Sequence, residues 1–267
     1  MLEPKSPISK WRWAAALLIM LGYVGLLGYL GAKQAGPDGI SSPLLPNSTW
    51  KLLFVCTSEL LLFGLAFLLF WILTRVTRDD LKLHVTRPLR IFRRGFLYSI
   101  ALRAFIAVMV ILTTVIISLL THRPPQQLEG LRPKTENLVD FAALINDPLY
   151  FAVAVTLVSF GLGGFREELW RTTVFAAFHH LLPPNWRGTF GKVLAVLTAA
   201  LVFGLGHLSQ GWGGVYITAL LGVALGWIII HHNSLWEAAL AHGFFDATSF
   251  TILYLLARYY PEALKLQ

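Results

Sequence analysis

The sequence predicts an all-α polytopic membrane protein, a bundle of about seven transmembrane helices. Three observations predict it. Of its 267 residues 56% are hydrophobic, and only 13% are Asp, Glu, Lys or Arg, against about 25% in soluble domains. Mean hydropathy is +0.63. Apolar runs of membrane-spanning length recur along the chain, and no segment between them is long enough to form a soluble domain.

The N-terminal stretch carries Lys5, Lys10 and Arg12 and is then apolar from Trp13 to about Gly31. That run is too long for a signal-peptide core and reads as a retained first span. Gly36-Pro37-Asp38-Gly39 and the stretch from Pro43 to Pro46 read as turns. Span 2 runs from Leu52 to Leu73 and carries Glu59. A basic loop follows, with Arg75, Arg78, Lys82, Arg87, Arg90, Arg93 and Arg94. Span 3 covers Phe96 to Leu120 with Arg103 near its basic end. Span 4 covers Leu149 to Leu182, with Ser159 to Gly164 as the place for a kink or break, and Pro183-Pro184 stops it. Span 5 runs from Gly191 to Leu208, span 6 from Val215 to Ile230 and span 7 from Leu235 to about Tyr259. Residues 1–147 thus form a three-span region and 148–267 a four-span core.

The net charge of +8 raises nucleic-acid binding as a reading, but the basic residues gather in short loops between spans. Membrane orientation explains them better, with the N-terminus and basic loops cytoplasmic and the C-terminus outside. The partners expected are therefore the lipid bilayer and a protein or peptide at the membrane, with no nucleic acid. Oligomeric state is not legible. The single cysteine, Cys56, excludes an intramolecular disulfide and reads as a small buried apolar residue.

The most informative stretch is Gly164-Phe165-Arg166-Glu167-Glu168-Leu169-Trp170-Arg171. Otherwise span 4 holds no acid and no base except His179 and His180. Charge within hydrocarbon is costly, and by default marks a functional site. Glu167 is i,i+4 and Glu168 i,i+3 from Arg171, so both reach it along one helix flank. His242 and Asp246 share a face of span 7, and Phe203 and His207 a face of span 5. Counting at 1.5 Å per residue puts Glu168, His207 and His242 roughly 18, 22 and 12 Å below the inner surface. These polar groups are expected to form one wet cavity near the midplane.

Carboxylates beside imidazoles suit water activation: a Glu accepts a proton from water and donors stabilise the oxyanion. The same side chains suit zinc, although no His-Glu-x-x-His occurs. A non-enzymatic transporter or immunity-type membrane protein is the third reading, and a structural intramembrane ion pair the bland one. Glu59 and Arg103 are expected at span ends or paired together. His179-His180 and His231-His232 read as solvated loop residues. Trp11, Trp13, Trp50, Trp71, Trp186, Trp212 and Trp236 read as an interfacial belt. Gly222 and Gly226 read as a close helix contact.

At these residues the sequence resembles the CAAX-protease and bacteriocin-processing family of intramembrane glutamic endopeptidases (the Abi, or type II CAAX prenyl endopeptidase, family). Its signatures are Glu-Glu-x-x-x-Arg, Phe-x-x-x-His and His-x-x-x-Asn/Asp. Here they correspond to Glu167-Glu168-Leu169-Trp170-Arg171, Phe203 to His207 and His242 to Asp246. The resemblance runs from about Phe151 to Phe250. It implies Glu167, Glu168, Arg171, His207, His242 and Asp246 as catalytic residues, no obligate cofactor, and a multi-pass protein of a bacterial inner membrane. The first motif is one residue short. Aligned on the pair, Glu167 is the water-activating residue. Aligned on Arg171, that position falls on Arg166 and Glu167 becomes the second Glu. By the resemblance His207 helps hold the water, while His242 and Asp246 face the oxyanion. Asp246 acts there as a protonated donor or by orienting His242.

Overall fold

The computed structural model describes residues 8–34, 43–124 and 133–264. Lys5 and the expected Gly36–Gly39 turn lie outside the described residues. The chain is an all-α polytopic membrane protein, with no strand among the described residues. Three long helices come first: α1 (Lys10–Gln34), α2 (Thr49–Thr74) and α3 (Pro88–Thr121). The short α4 (Phe141–Asn146) and α5 (Pro148–Val153) follow. A π-helical stretch, Ala154–Glu167, then leads without a break into α6 (Glu168–Leu181). The last elements are α7 (Thr189–Leu205), α8 (Gly211–His232) and α9 (Leu235–Tyr259). Among the described residues six helices are long and apolar enough to cross a membrane. The shorter α7 is the seventh apolar one.

The ends of these helices follow from local sequence. Asp147 caps α5 by accepting from the backbone N–H of Leu149 and Tyr150, with Pro148 at the first helical position, where its missing N–H costs nothing. The Thr49 hydroxyl donates to Asp147 at 2.7 Å. That bond, with the two backbone N–H groups, holds the half-buried Asp147 carboxyl below the usual carboxylate range. Asn233 ends α8 in the left-handed region (φ 50°), which its short polar side chain tolerates. Ser234 then caps α9.

The Ser159–Gly164 stretch does not break span 4. Pro148–Leu181 is one helical trace of 34 residues, widened to π turns over Ala154–Glu167, a distortion that recurs at functional sites. Its glycines have a packing role. A Cβ at Gly164 would sit 2.5 Å from the carbonyl oxygen of Ala239, so only glycine lets this stretch lie directly on α9. From the other side, Gly243 makes room for the Phe160 ring. Replacing Gly164 by Ala is expected to cost about 1–3 kcal/mol, as overpacking against backbone does. It should also lower activity by moving Glu167 away from α9. Thermal unfolding and turnover of the purified variant check both.

α7 departs from the expected span 5. At 17 residues it is about 26 Å long, less than a ~30 Å hydrocarbon core. It stops at Leu205, so His207 lies beyond the helix in a turn (φ −102°) that enters a 3₁₀ segment, Leu208–Gln210. Non-helical backbone at such depth is tolerated where protein buries it or where it lines a cavity. Trp13 also departs from the belt reading. It is 3% exposed and stacks on His180, with ring centroids 4.1 Å apart, whereas Trp11, Trp50 and Trp212 are exposed. His180 is thus not a solvated loop residue; its Nε2 also lies 3.1 Å from Asp80. His232 is similarly engaged, with Tyr98 at 2.7 Å and Arg94 at 3.3 Å. Cys56 is fully buried. Gly222 and Gly226 face Ala200 and Val196 of α7 closely, as the small-residue spacing implies.

Candidate active site

The site is built where the π-helical stretch, the start of α6, the turn after α7 and the first half of α9 meet. The step from π to α geometry falls between Glu167 and Glu168. Consecutive residues on a helix point about 100° apart, so the two neighbouring carboxylates leave it in different directions and meet different surroundings.

Glu168 points into protein. Its side chain and that of Arg171 have 0% exposure and are ion-paired, one helical turn apart. The Arg171 guanidinium also lies over the Phe203 ring, 4.8 Å from its centroid, a contact strengthened by desolvation. Its Nε and Nη2 have no hydrogen-bond acceptor among the described residues. The other oxygen of Glu168, Oε1, accepts from His242 Nδ1 at 2.9 Å. A buried ion pair thus fixes one side of the His242 ring and leaves Nε2 as its working atom, as an outer carboxylate orients an imidazole.

Glu167 points into a cavity of about 540 Å³ that His207, His242, Asp246, Arg166 and Glu59 also line. Glu167 Oε2 is 3.8 Å from His242 Nε2, and Asp246 Oδ2 is 3.6 Å from the same nitrogen. Glu167 Oε1 accepts from Arg166 Nη2 at 2.5 Å. His207 Nδ1 donates to the Phe203 carbonyl at 2.9 Å, which leaves its Nε2 as the free ring nitrogen. Phe203 sits between the two histidines, with ring centroids 4.8 Å from His207 and 5.9 Å from His242.

All six expected site residues therefore gather around one centre. Four line the cavity, while Glu168 and Arg171 stand behind His242. The sequence reading missed Arg166 and its partners. Arg166 is ion-paired with both Glu167 and Glu59, and its Nη1 lies 3.4 Å from the Tyr23 hydroxyl. Glu59 and Arg103 do not pair with each other. Arg103 donates instead to the Phe245 carbonyl and to Thr248 and Ser249 beside Asp246. The signal for Glu59 was available: a lone carboxylate inside span 2 needs a buried cation, and Arg166 is the one left over once Arg171 is spent on Glu168. Among the described residues no three His, Cys, Asp or Glu side chains form a group that could hold a metal ion.

Comparison with known proteins adds one finding. Residues 148–248 match the family described as type II CAAX prenyl endopeptidase Rce1-like. No curated protein and no solved structure matches the chain. The matched residues include all three motifs and every one of the six residues just placed; Glu59 and Tyr23 lie outside them. Over this segment, the chain is similar to the type II CAAX prenyl endopeptidase Rce1-like family.

Proposed function

We propose that the chain is an intramembrane endopeptidase of glutamate type, in which Glu167 activates water. The observation that carries this is the division of labour between adjacent carboxylates: Glu167 faces the cavity, while Glu168 is spent on Arg171 and His242. A water beside Glu167 gives one proton to Glu167 Oε2 and directs the other to His207 Nε2. Its oxygen forms the bond to the peptide carbonyl carbon. A proton held between His242 Nε2 and Asp246 is presented to the developing oxyanion, where a fixed donor is worth most. The tetrahedral intermediate then breaks its C–N bond, and Glu167 returns its proton to the leaving amine.

Membrane-protein termini in cells carrying the wild type are compared with those in cells carrying Glu167→Gln. New termini that depend on Glu167 are expected; identical sets would overturn the proposal. Zinc chemistry on the same side chains makes the opposite prediction for chelation. Activity of the purified protein is expected to stay within about twofold after EDTA treatment and dialysis, whereas loss restored by zinc would point to a metalloprotease.

A further inference from the structure

The residue beside Glu167 is an arginine whose other partner comes from outside the matched segment, and this joins the first two helices to the chemistry. α1 and α2 hold a single acidic residue, Glu59, the eleventh residue of α2. At 1.5 Å per residue it lies about 15 Å into the helix, a depth at which a carboxylate is paired or functional. Its partner is Arg166. The two helices are fixed against the site. Trp170 Nε1 donates to the Met20 carbonyl of α1 at 2.8 Å, and the Tyr23 and Phe63 rings join α1 to α2 with centroids 5.7 Å apart.

The guanidinium divides its two terminal nitrogens between different helices. Nη1 donates to Glu59 Oε2 and to the Tyr23 hydroxyl, the latter at 3.4 Å. Nη2 donates to Glu167 Oε1 at 2.5 Å. One oxygen of Glu167 is thereby spent on Arg166, and the other, Oε2, is left toward His242 Nε2 at 3.8 Å. An arginine with one carboxylate to itself favours a different arrangement, two parallel N–H···O bonds to both oxygens. That fork would tie up Oε2, the oxygen that must take the proton from water. Glu59 prevents it by occupying Nη1. Tyr23, Glu59, Arg166 and Glu167 all line the one cavity. The Arg166 side chain is nonetheless only 9% exposed, so little water competes for its nitrogens.

Resting on the glutamate-peptidase reading above, we propose that Glu59 is a positioning residue for the base: it holds Arg166 to a single bond with Glu167 and so keeps Glu167 Oε2 open to water. The active site is then completed by α2, a helix outside the 148–248 segment that carries the three motifs. Glu59 acts only through Arg166 and touches neither water nor substrate.

A cycle of full-length proteins tests this: wild type, Glu59→Met, Arg166→Met and the double variant, with Glu167→Gln as reference. The probe is a protein that carries a Glu167-dependent terminus in the cell comparison above. Rates are taken per folded molecule, with folding read by thermal unfolding. Methionine matches the length of Glu59 and offers no strong acceptor. Glu59→Met is expected to lower kcat about 10–100-fold, the range for losing an outer carboxylate. KM should stay within about threefold, because Glu59 does not hold the substrate. The double variant is expected to regain about tenfold of that loss, since no guanidinium remains to take Oε2. A residue that merely anchored α2 would show no such recovery, because the contact is absent from both variants. Unchanged kcat in Glu59→Met, a loss confined to KM, or a double variant no faster than Glu59→Met would each overturn the proposal. Should Glu59→Met not fold, the double variant is compared with Arg166→Met. Equal kcat within about threefold supports a role exercised through Arg166 alone, and a further loss overturns it. An inactive Glu167→Gln beside a fully active Glu59→Met removes this inference and leaves the peptidase intact. A fully active Glu167→Gln, or no Glu167-dependent terminus at all, overturns the peptidase reading and this inference with it.

Discussion

Glu167→Gln is expected to lower kcat/KM by about 10²–10⁴-fold, the range for removing a positioned general base, while leaving the protein folded. The substitution keeps the size of the side chain and its ability to accept from Arg166, whose second partner, Glu59, is untouched. Glu167 lines a cavity and its side chain is 18% exposed, so the variant strands no charge in a dry site. The loss should fall on kcat, since the carboxylate acts on water in the transition state and contributes little to holding the substrate. Single-turnover cleavage and thermal unfolding of the purified variant separate the two effects. Near-wild-type turnover would move the base elsewhere. Glu168→Gln gives the contrast. It removes the charge paired with Arg171 in a fully buried site and loosens the hold on His242, so stability and activity should fall together. Alignment alone left open which carboxylate is the base, and this pair of variants distinguishes them.

What could be read from the sequence divides along physical lines. Membrane helices are set by length and apolarity, so their order was legible, and span 7 was placed at Leu235 to Tyr259 as found. The three polar motifs were legible because charge within hydrocarbon is too costly to be incidental. Features that depend on how helices meet were not. His207 was counted onto a helix because the Phe203–His207 spacing fits one; that α7 stops at Leu205 depends on the α1 and α8 residues around the turn. Glu59 and Arg103 were expected at span ends or paired with each other. The actual pairing with Arg166 depends on which faces α2 and α3 turn toward the bundle. The glycines of span 4 suggested a kink or break; the helix is unbroken and widens to π turns there, and the glycines also allow close approach to α9, which a sequence shows only when Ala239 and Gly243 are known to lie opposite. Trp13 looked like a belt residue from its place beside Lys10 and Arg12, and the Asp80–His180 contact that encloses it joins segments one hundred residues apart.

The Glu168–Arg171 pair carries the largest expected effect on stability. Both side chains have 0% exposure. Truncating one member leaves the other charged in a site from which water is excluded, a loss of about 3–5 kcal/mol in buried pairs. Arg171→Met is therefore expected to unfold at markedly lower temperature or denaturant, even though methionine fills much of the space over Phe203. Activity should fall as well, because Glu168 would no longer be held where His242 Nδ1 meets it at 2.9 Å. The double variant Glu168→Gln, Arg171→Met removes both charges. It is expected to recover much of the stability lost by Arg171→Met, since the attraction between the two charges largely offsets their burial. It should remain impaired in catalysis, because a neutral amide orients the imidazole less firmly than a carboxylate. A cycle of the four proteins, read by unfolding in detergent and by turnover, isolates the coupling. If Arg171→Met were as stable as wild type, Glu168 would have no need of a counter-charge, and the account of how one carboxylate is held back so that its neighbour can work would fail.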